Sequence, residues 1–246
     1  MLSVMEVKKR LPRDFIEELY NLHSPLVADK ILAGMAGKRN TTLRVNTLKY
    51  NIQDLMRYFR EINIKFERVS FLSDALVIKN ATEKDIQKLD IYEKGYIYLQ
   101  SLSSMIPPLV LGAKENEQIL DMASAPGSKT TQISAMMNNT GHIIANELDK
   151  IRCERLKFNL NNQGATNVEV INGYGEKLGE RYPKNFDRVL LDTPCSGEGR
   201  FIAEIAGTYR NWSLKTVKEL SKIQRKLIKS GYNALKPGGI MVYSTC

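Results

Sequence analysis

The sequence is poor in the residues that would place it outside the cell or in a membrane. Only three of its 246 residues are cysteine (Cys153, Cys195 and Cys246), an odd number that suits neither a disulfide framework nor a zinc site. Only two are histidine, His23 and His142, and neither has a partner at ligand spacing, so neither is a candidate for catalysis or metal binding. No run of about 18 nearly uncharged apolar residues occurs, so a transmembrane helix is not expected. The opening ten residues meet Glu6, Lys8 and Lys9 before an apolar core forms and do not read as a signal peptide. Gly/Ser linkers, low-complexity tracts and internal repeats are missing as well, so any two parts should pack closely. The expectation left standing is a cytoplasmic protein, monomeric, with no membrane and no metal.

What is present is ordinary in amount and uneven in charge. Hydrophobic residues make up 43% and charged residues 26%, too apolar for a disordered chain. The net charge of +9 divides as +4 over residues 1–100, −1 over 101–200 and +6 over 201–246. A near-neutral middle between basic ends suits a polyanion approached from the flanks. Lys215, Lys218, Lys222, Arg225, Lys226 and Lys229 recur at steps of three and four, which puts most of them on one helical face. Charge alone does not choose between DNA and RNA.

Periodicity predicts a helix over 12–36, a strand at 43–47, a helix over 52–61, strands at 64–69 and 75–78, a helix over 83–89 and a strand at 96–99. This mixed order reads as a small α+β module, residues 1–95. From 96 to 246 the pattern changes: strands at 118–122, 143–146, 168–171, 188–191 and 240–243 alternate with helices at 130–137, 150–163 and 216–235. Such alternation indicates an α/β, doubly wound parallel sheet, which binds ligands at the carboxyl ends of its strands.

The motifs fall at those ends. D-M-A-S-A-P-G-S-K-T (121–130) joins the first strand of this sheet to a helix, where free N–H groups and small residues admit a ligand to the backbone. It is neither a Walker A loop nor G-x-G-x-x-G. A-N-E (145–147) ends the second strand with Glu147, placed to accept the hydroxyls of a ribose or to face solvent at a helix start. D-T-P-C-S-G-E-G (192–199) ends the fourth strand and Y-S-T-C (243–246) the fifth. Neighbouring parallel strands would bring Cys195 and Cys246 into one crevice with Asp192. Cys153 lies in a helix without a motif and reads as filler. Trp212 reads either as a base-stacking ring or as a loop anchor.

These motifs, with K-P-G-G (236–239), L-R-V-N-T-L-K (43–49) and Q-S-L-S-S-M (100–105), resemble the signatures of the Nop/Sun family of RNA cytosine-5 methyltransferases. The resemblance implies a Rossmann-like methyltransferase sheet behind a small RNA-binding module, with S-adenosyl-L-methionine as cofactor and structured RNA as partner, ribosomal RNA favoured over transfer RNA. It implies a cofactor cradle at Ala123, Ser124, Ala125, Pro126, Gly127 and Lys129, completed by Glu147, Arg152, Tyr174 and Asp192. It makes Cys246 the nucleophile, Cys195 the thiol that helps release product, Asp192 the acid near N3 of the base, and Lys129 a cation beside cofactor and base. A thiol is needed because C5 of cytosine is a poor nucleophile until a thiolate adds to C6.

The chain departs from the family pattern in three places. Tyr174-Gly175-Glu176 stands where D-G-R is usual, which predicts weaker cofactor binding and tighter binding on Tyr174→Asp. Thr193 replaces an alanine, a mild change. The sequence stops at Cys246, where the family continues for two strands and a helix. The expectation is therefore a sheet truncated after its fifth strand, with 240–245 as an exposed apolar edge and little methyl transfer alone. Two other readings stay open: a DNA-type methyltransferase with Cys195 as nucleophile, and a weakened homologue that only binds RNA.

Overall fold

A computed structural model describes residues 2–37 and 39–246. In chain order its helices are α1 (Val4–Arg10), α2 (Arg13–Leu22), α3 (Pro25–Met35), α4 (Ile52–Glu61), α5 (Glu83–Gln87), α6 (Asp90–Glu93), α7 (Leu102–Leu111), α8 (Ser128–Met136), α9 (Lys150–Gln163), α10 (Leu178–Arg181) and α11 (Leu214–Ala234). The strands are β1 (Thr41–Val45), β2 (Phe66–Val69), β3 (Leu72–Ile78), β4 (Ile97–Leu99), β5 (Gln118–Asp121), β6 (His142–Glu147), β7 (Val168–Asn172), β8 (Phe186–Asp192) and β9 (Leu235–Ser244). Among the described residues no helix is long and apolar enough to cross a membrane. The chain forms two compact units, one built from Asn40–Thr193 with Lys226–Ser244, the other from Met1–Arg39, Pro194–Arg225 and Thr245–Cys246.

The larger unit holds both sheets. A four-stranded antiparallel sheet runs β2-β3-β1-β4 and packs Leu43, Leu76, Ile78 and Ile97 against Leu55 and Phe59 of α4. The five-stranded sheet is parallel throughout, in the order β7-β6-β5-β8-β9, as the α/β expectation required. Its order reverses direction beside β5, the position at which doubly wound sheets bind ligands. The R-V-N of the upstream motif ties the two sheets together. Arg44 is buried and donates through Nε to Gln100 Oε1 (3.0 Å) and through Nη2 to Thr131 Oγ1 (2.7 Å) and the Ser128 carbonyl (3.2 Å). Burial pulls its pKa down to about 10. Asn46 Nδ2 donates to the carbonyls of Gly95 (2.9 Å) and Gln163 (2.7 Å).

The smaller unit joins distant segments around Phe15, Leu19 and Leu32, with Phe201 and Ala203 in the same core. The Phe15 ring meets Phe201 edge-on at 5.1 Å and Trp212 at 5.6 Å. Trp212 Nε1 donates to Glu198 Oε1 at 2.7 Å, so this ring anchors the loop. Arg39 Nη2 donates to the Gly199 carbonyl (2.6 Å), and the Ala203 N–H to the Met35 carbonyl (2.9 Å).

Several helices differ from the expected pattern. The helix predicted over 12–36 is α2 and α3, broken at His23–Ser24 because Pro25 disfavours the helical region for the residue before it and is well suited to a first turn. α1 begins with a Ser3–Glu6 capping box, a readable signal that the apolar pattern did not supply. α7 contains Pro107 and Pro108, which read as helix breakers. Pro108 has no N–H to give the Ser104 carbonyl, and Gln100 Nε2 donates there at 3.1 Å instead.

Candidate active site

The turn after β5 is built from small residues and closed by hydrogen bonds. Ser124 Oγ donates to the Asp121 carbonyl (2.8 Å), Ser124 N–H to the Asn146 carbonyl (2.8 Å), and Gly127 N–H to the Ser124 carbonyl (2.8 Å). Gly127 adopts φ +104°, and a Cβ there would sit 2.9 Å from Leu156 Cδ1, so only glycine delivers the chain into α8. Ala125 is buried, while Pro126 is exposed at the rim and Ala123 half-buried. Arg152 braces the turn, Nη2 donating to the Ala125 carbonyl at 2.7 Å.

Glu147 ends β6 with 4% of its surface exposed. Its Oε1 accepts from the Asp149 N–H at 3.0 Å. Arg152 Nη1 lies 3.3 Å from Oε2 as an ion pair, yet no donor is aligned to hydrogen-bond that buried oxygen. An unsatisfied buried carboxylate oxygen is costly unless a ligand supplies the donor. Two vicinal ribose hydroxyls are such donors, and the adjoining turn of small residues admits a ligand to its backbone. The residues present therefore fit a nucleoside-bearing cofactor.

Lys129, in the first turn of α8, reaches Asp192 at the end of β8: Nζ donates to Oδ2 at 2.6 Å and to Ser104 Oγ at 2.9 Å. Asp192 Oδ1 accepts from Ser244 Oγ at 2.8 Å, so both its oxygens are held. Asp192 and Ser244 are register partners on β8 and β9. Below the turn, Asp121 is buried and its Oδ2 accepts from Thr130 Oγ1 at 2.7 Å. Burial pushes its pKa up to about 6, with the Asp192 charge adding and Thr130 and Lys129 opposing.

In the smaller unit the sulfurs of Cys195 and Cys246 stand 2.6 Å apart. The hydrogen bond with the Cys246 thiol pulls Cys195 down to about 5 against the effect of burial, helped by the Cys246 and Gly197 backbones and the Thr245 hydroxyl. Cys195 is thus held below the ordinary thiol range, with the Cys246 sulfur as its hydrogen-bond partner. Gly199 lies against Cys246, where a Cβ would stand 3.1 Å from its carbonyl carbon. Gln224 Nε2 donates to the Pro194 carbonyl at 2.9 Å.

Of the residues singled out in the sequence, the structure thus joins Lys129 to Asp192, Arg152 to Glu147 and Ala125, and Cys195 to Cys246. Tyr174 lies 58% exposed after β7. Cys153 is buried in α9, where burial raises its pKa. Sequence reasoning missed Ser104 and Ser244, although both sit inside quoted motifs, and gave no task to Arg44 or Asn46.

Comparison with known proteins finds two family matches. A model described as "16S rRNA methyltransferase RsmB/F" matches residues 108–246, and one described as "Methyltr_RsmF/B-like, ferredoxin-like domain" matches residues 11–85. "Ribosomal RNA small subunit methyltransferase F" of Aeromonas salmonicida is 36% identical over 242 residues, covering 96% of this chain and 51% of that protein. Its namesake in Vibrio vulnificus is 39% identical over 241 residues, with the same coverage of 96% and 51%. The chain spans about half the length of the curated relatives it matches. Among solved structures, a methyltransferase homolog protein from Pyrococcus horikoshii superposes with TM-score 0.85 at 31% identity, covering 100% of this chain and 77% of that one. NSun6 from Pyrococcus horikoshii superposes with TM-score 0.88 at 24% identity, covering 97% and 84%. The five-stranded sheet is a Rossmann-like methyltransferase fold, preceded by a ferredoxin-like domain.

Proposed function

Because this chain belongs to the RsmB/F family of 16S rRNA methyltransferases, we propose that it is an S-adenosylmethionine-dependent RNA (cytosine-5) methyltransferase acting on structured RNA, ribosomal RNA ahead of transfer RNA. In this reading residues 1–95 contact RNA, residues 96–246 bind the cofactor and carry the chemistry, and the protein works in the cytoplasm as a monomer. The observation that carries it is the thiol pair: two sulfurs 2.6 Å apart, of which Cys195 is held well below the usual thiol range.

Passing the Cys246 proton to an ionised Cys195 along their hydrogen bond would leave Cys246 as the thiolate, which adds to C6 of the cytosine and makes C5 nucleophilic. Asp192, fixed by Lys129 and Ser244, would be the group at N3 that stabilises the adduct. Once a water molecule has taken the C5 proton, the C6–S bond would break, and Cys195 would return its proton to the departing Cys246 sulfur. The turn 123–127, Glu147 and Arg152 would hold S-adenosylmethionine, which when bound supplies an electrophilic methyl group. A target base in a helix must be flipped out, which favours loops and bulges.

The test is a denaturing gel with target RNA and cofactor. Cys195→Ala should accumulate an RNA–protein adduct and Cys246→Ala should form none. The reverse pattern would favour the second reading, a DNA-type assignment with Cys195 as nucleophile, to which its depressed pKa lends support. Absence of both adducts and cofactor binding would leave a protein that only binds RNA.

A further inference from the structure

Tyr174 breaks the family pattern, and its surroundings say what it does instead. The sheet order β7-β6-β5-β8-β9 gives a bound cofactor a direction. The methyl group has to be delivered on the β8 side, where Asp192 ends its strand, and the ribose belongs at Glu147, at the end of β6. The base is bonded to the ribose on the side away from the methyl-bearing sulfur, so it must lie beyond β6, over the end of β7.

The chain puts an apolar shelf there. Leu148 follows Glu147 and is 54% exposed, and Tyr174, just past β7, is 58% exposed. The two loops are tied together: Asn172 Nδ2 donates to the carbonyls of Glu147 (2.7 Å) and Leu148 (2.9 Å), and the Gly173 N–H to the Glu147 carbonyl (3.3 Å). A Cβ on Gly175 would meet Leu227 Cδ2 at 2.7 Å, so the turn is pressed against α11 while Tyr174 stays exposed. Lys177 Nζ lies over the Tyr174 ring, 5.6 Å from its centroid, so a stacking base takes the opposite face.

We propose that Tyr174 is the stacking platform for the adenine of the cofactor, with Leu148 on the adjoining loop as the second apolar surface. This rests on the cofactor reading above. A phenol ring lies against the π-face of the base and buries it, where a carboxylate would accept hydrogen bonds from polar groups. Aromatic stacking on a base changes affinity by about 5- to 150-fold on truncation to alanine.

Calorimetry with S-adenosylhomocysteine tests this on the full chain and three variants. Since Tyr174 is exposed, all should keep the wild-type melting temperature. Tyr174→Phe should bind within about twofold of wild type, and Tyr174→Ala at least about fivefold more weakly. Tyr174→Asp should also weaken binding, opposite to the expectation from the motif alone. Equal affinity of the alanine variant, equal losses in alanine and phenylalanine variants, or tighter binding by the aspartate variant would each overturn the platform while leaving the cofactor reading intact. No binding by the wild type would overturn both.

Discussion

Glu147→Gln separates what a buried carboxylate does for a ligand from what it does for the fold. In the free protein Oε2 is buried without an aligned donor, and the nearby Arg152 is more than half exposed, so that ion pair is screened. Removing the charge should therefore leave the melting temperature of the free protein unchanged or slightly higher. Binding behaves oppositely. Hydrogen bonds to a charged acceptor contribute about 1.5–3 kcal/mol against about 0.5–1.5 for neutral ones. Losing the charge under two ribose hydroxyls then costs about 2–3 kcal/mol, or about 30- to 150-fold in affinity. At S-adenosylhomocysteine about 100-fold above the wild-type Kd, ligand stabilises the fold by about 2.7 kcal/mol, which a 50-fold weaker variant reduces to about 0.6 kcal/mol. In a chain of this size that shrinks the ligand-induced rise in Tm from about 5–11 °C to about 1–3 °C. Calorimetry and thermal unfolding on one sample read both numbers. A variant that binds as tightly as wild type, or whose free form melts markedly lower, refutes the reasoning.

Asp121 should impose a pH slope on stability. Its folded pKa of about 6 lies above its ordinary value of 3.8, so the folded state holds the proton longer, and stability present below pH 4 is lost as pH rises to 6, by about 3 kcal/mol. Urea unfolding at pH 4.5 and 7 should show Asp121→Asn gaining on wild type at the higher pH, and parallel behaviour would dismiss the shift. Arg44→Met strands the Gln100, Thr131 and Ser128 acceptors between the two sheets and should lower unfolding free energy by about 2–4 kcal/mol, measured by the same titration. Iodoacetamide at pH 6.5 should modify Cys195 or Cys246 well before Cys153, as read by peptide mass spectrometry, because only the pair holds a thiolate there. Preferential labelling of Cys153 would count against a thiolate in the pair.

Much of the fold was legible because pattern and punctuation agree. α4 and α9 each combine a side-chain N-cap, Asn51 and Asp149, with clear helical sequence, and both were placed at their observed bounds. α7 was not placed: Pro107 and Pro108 interrupt its hydrogen bonding, and the partner that meets the Ser104 carbonyl, Gln100, is visible only after folding. The same holds in the site. Cysteines at neighbouring strand ends announce a pair, and a lysine in a Gly-Ser-Lys turn announces a cation. Ser104 and Ser244 are common residues whose importance comes from the atoms they touch, Lys129 Nζ and Asp192 Oδ1. Charge pattern likewise located the lysines of α11 without saying that its Gln224 fixes Pro194.

The smaller unit has a consequence in time. Its first helices bury Phe15, Leu19 and Leu32 against Phe201 and Ala203, and the contact that fastens their end, Arg39 to Gly199, spans 160 residues. During synthesis at about 5–20 residues per second, α1 to α3 emerge and then wait about 8 to 32 s for the segment that completes their core. Throughout that interval an apolar helical face is available to chaperones or to another nascent chain. The larger unit can begin packing meanwhile. The loop bearing Cys195 is thus ordered late, by helices made first.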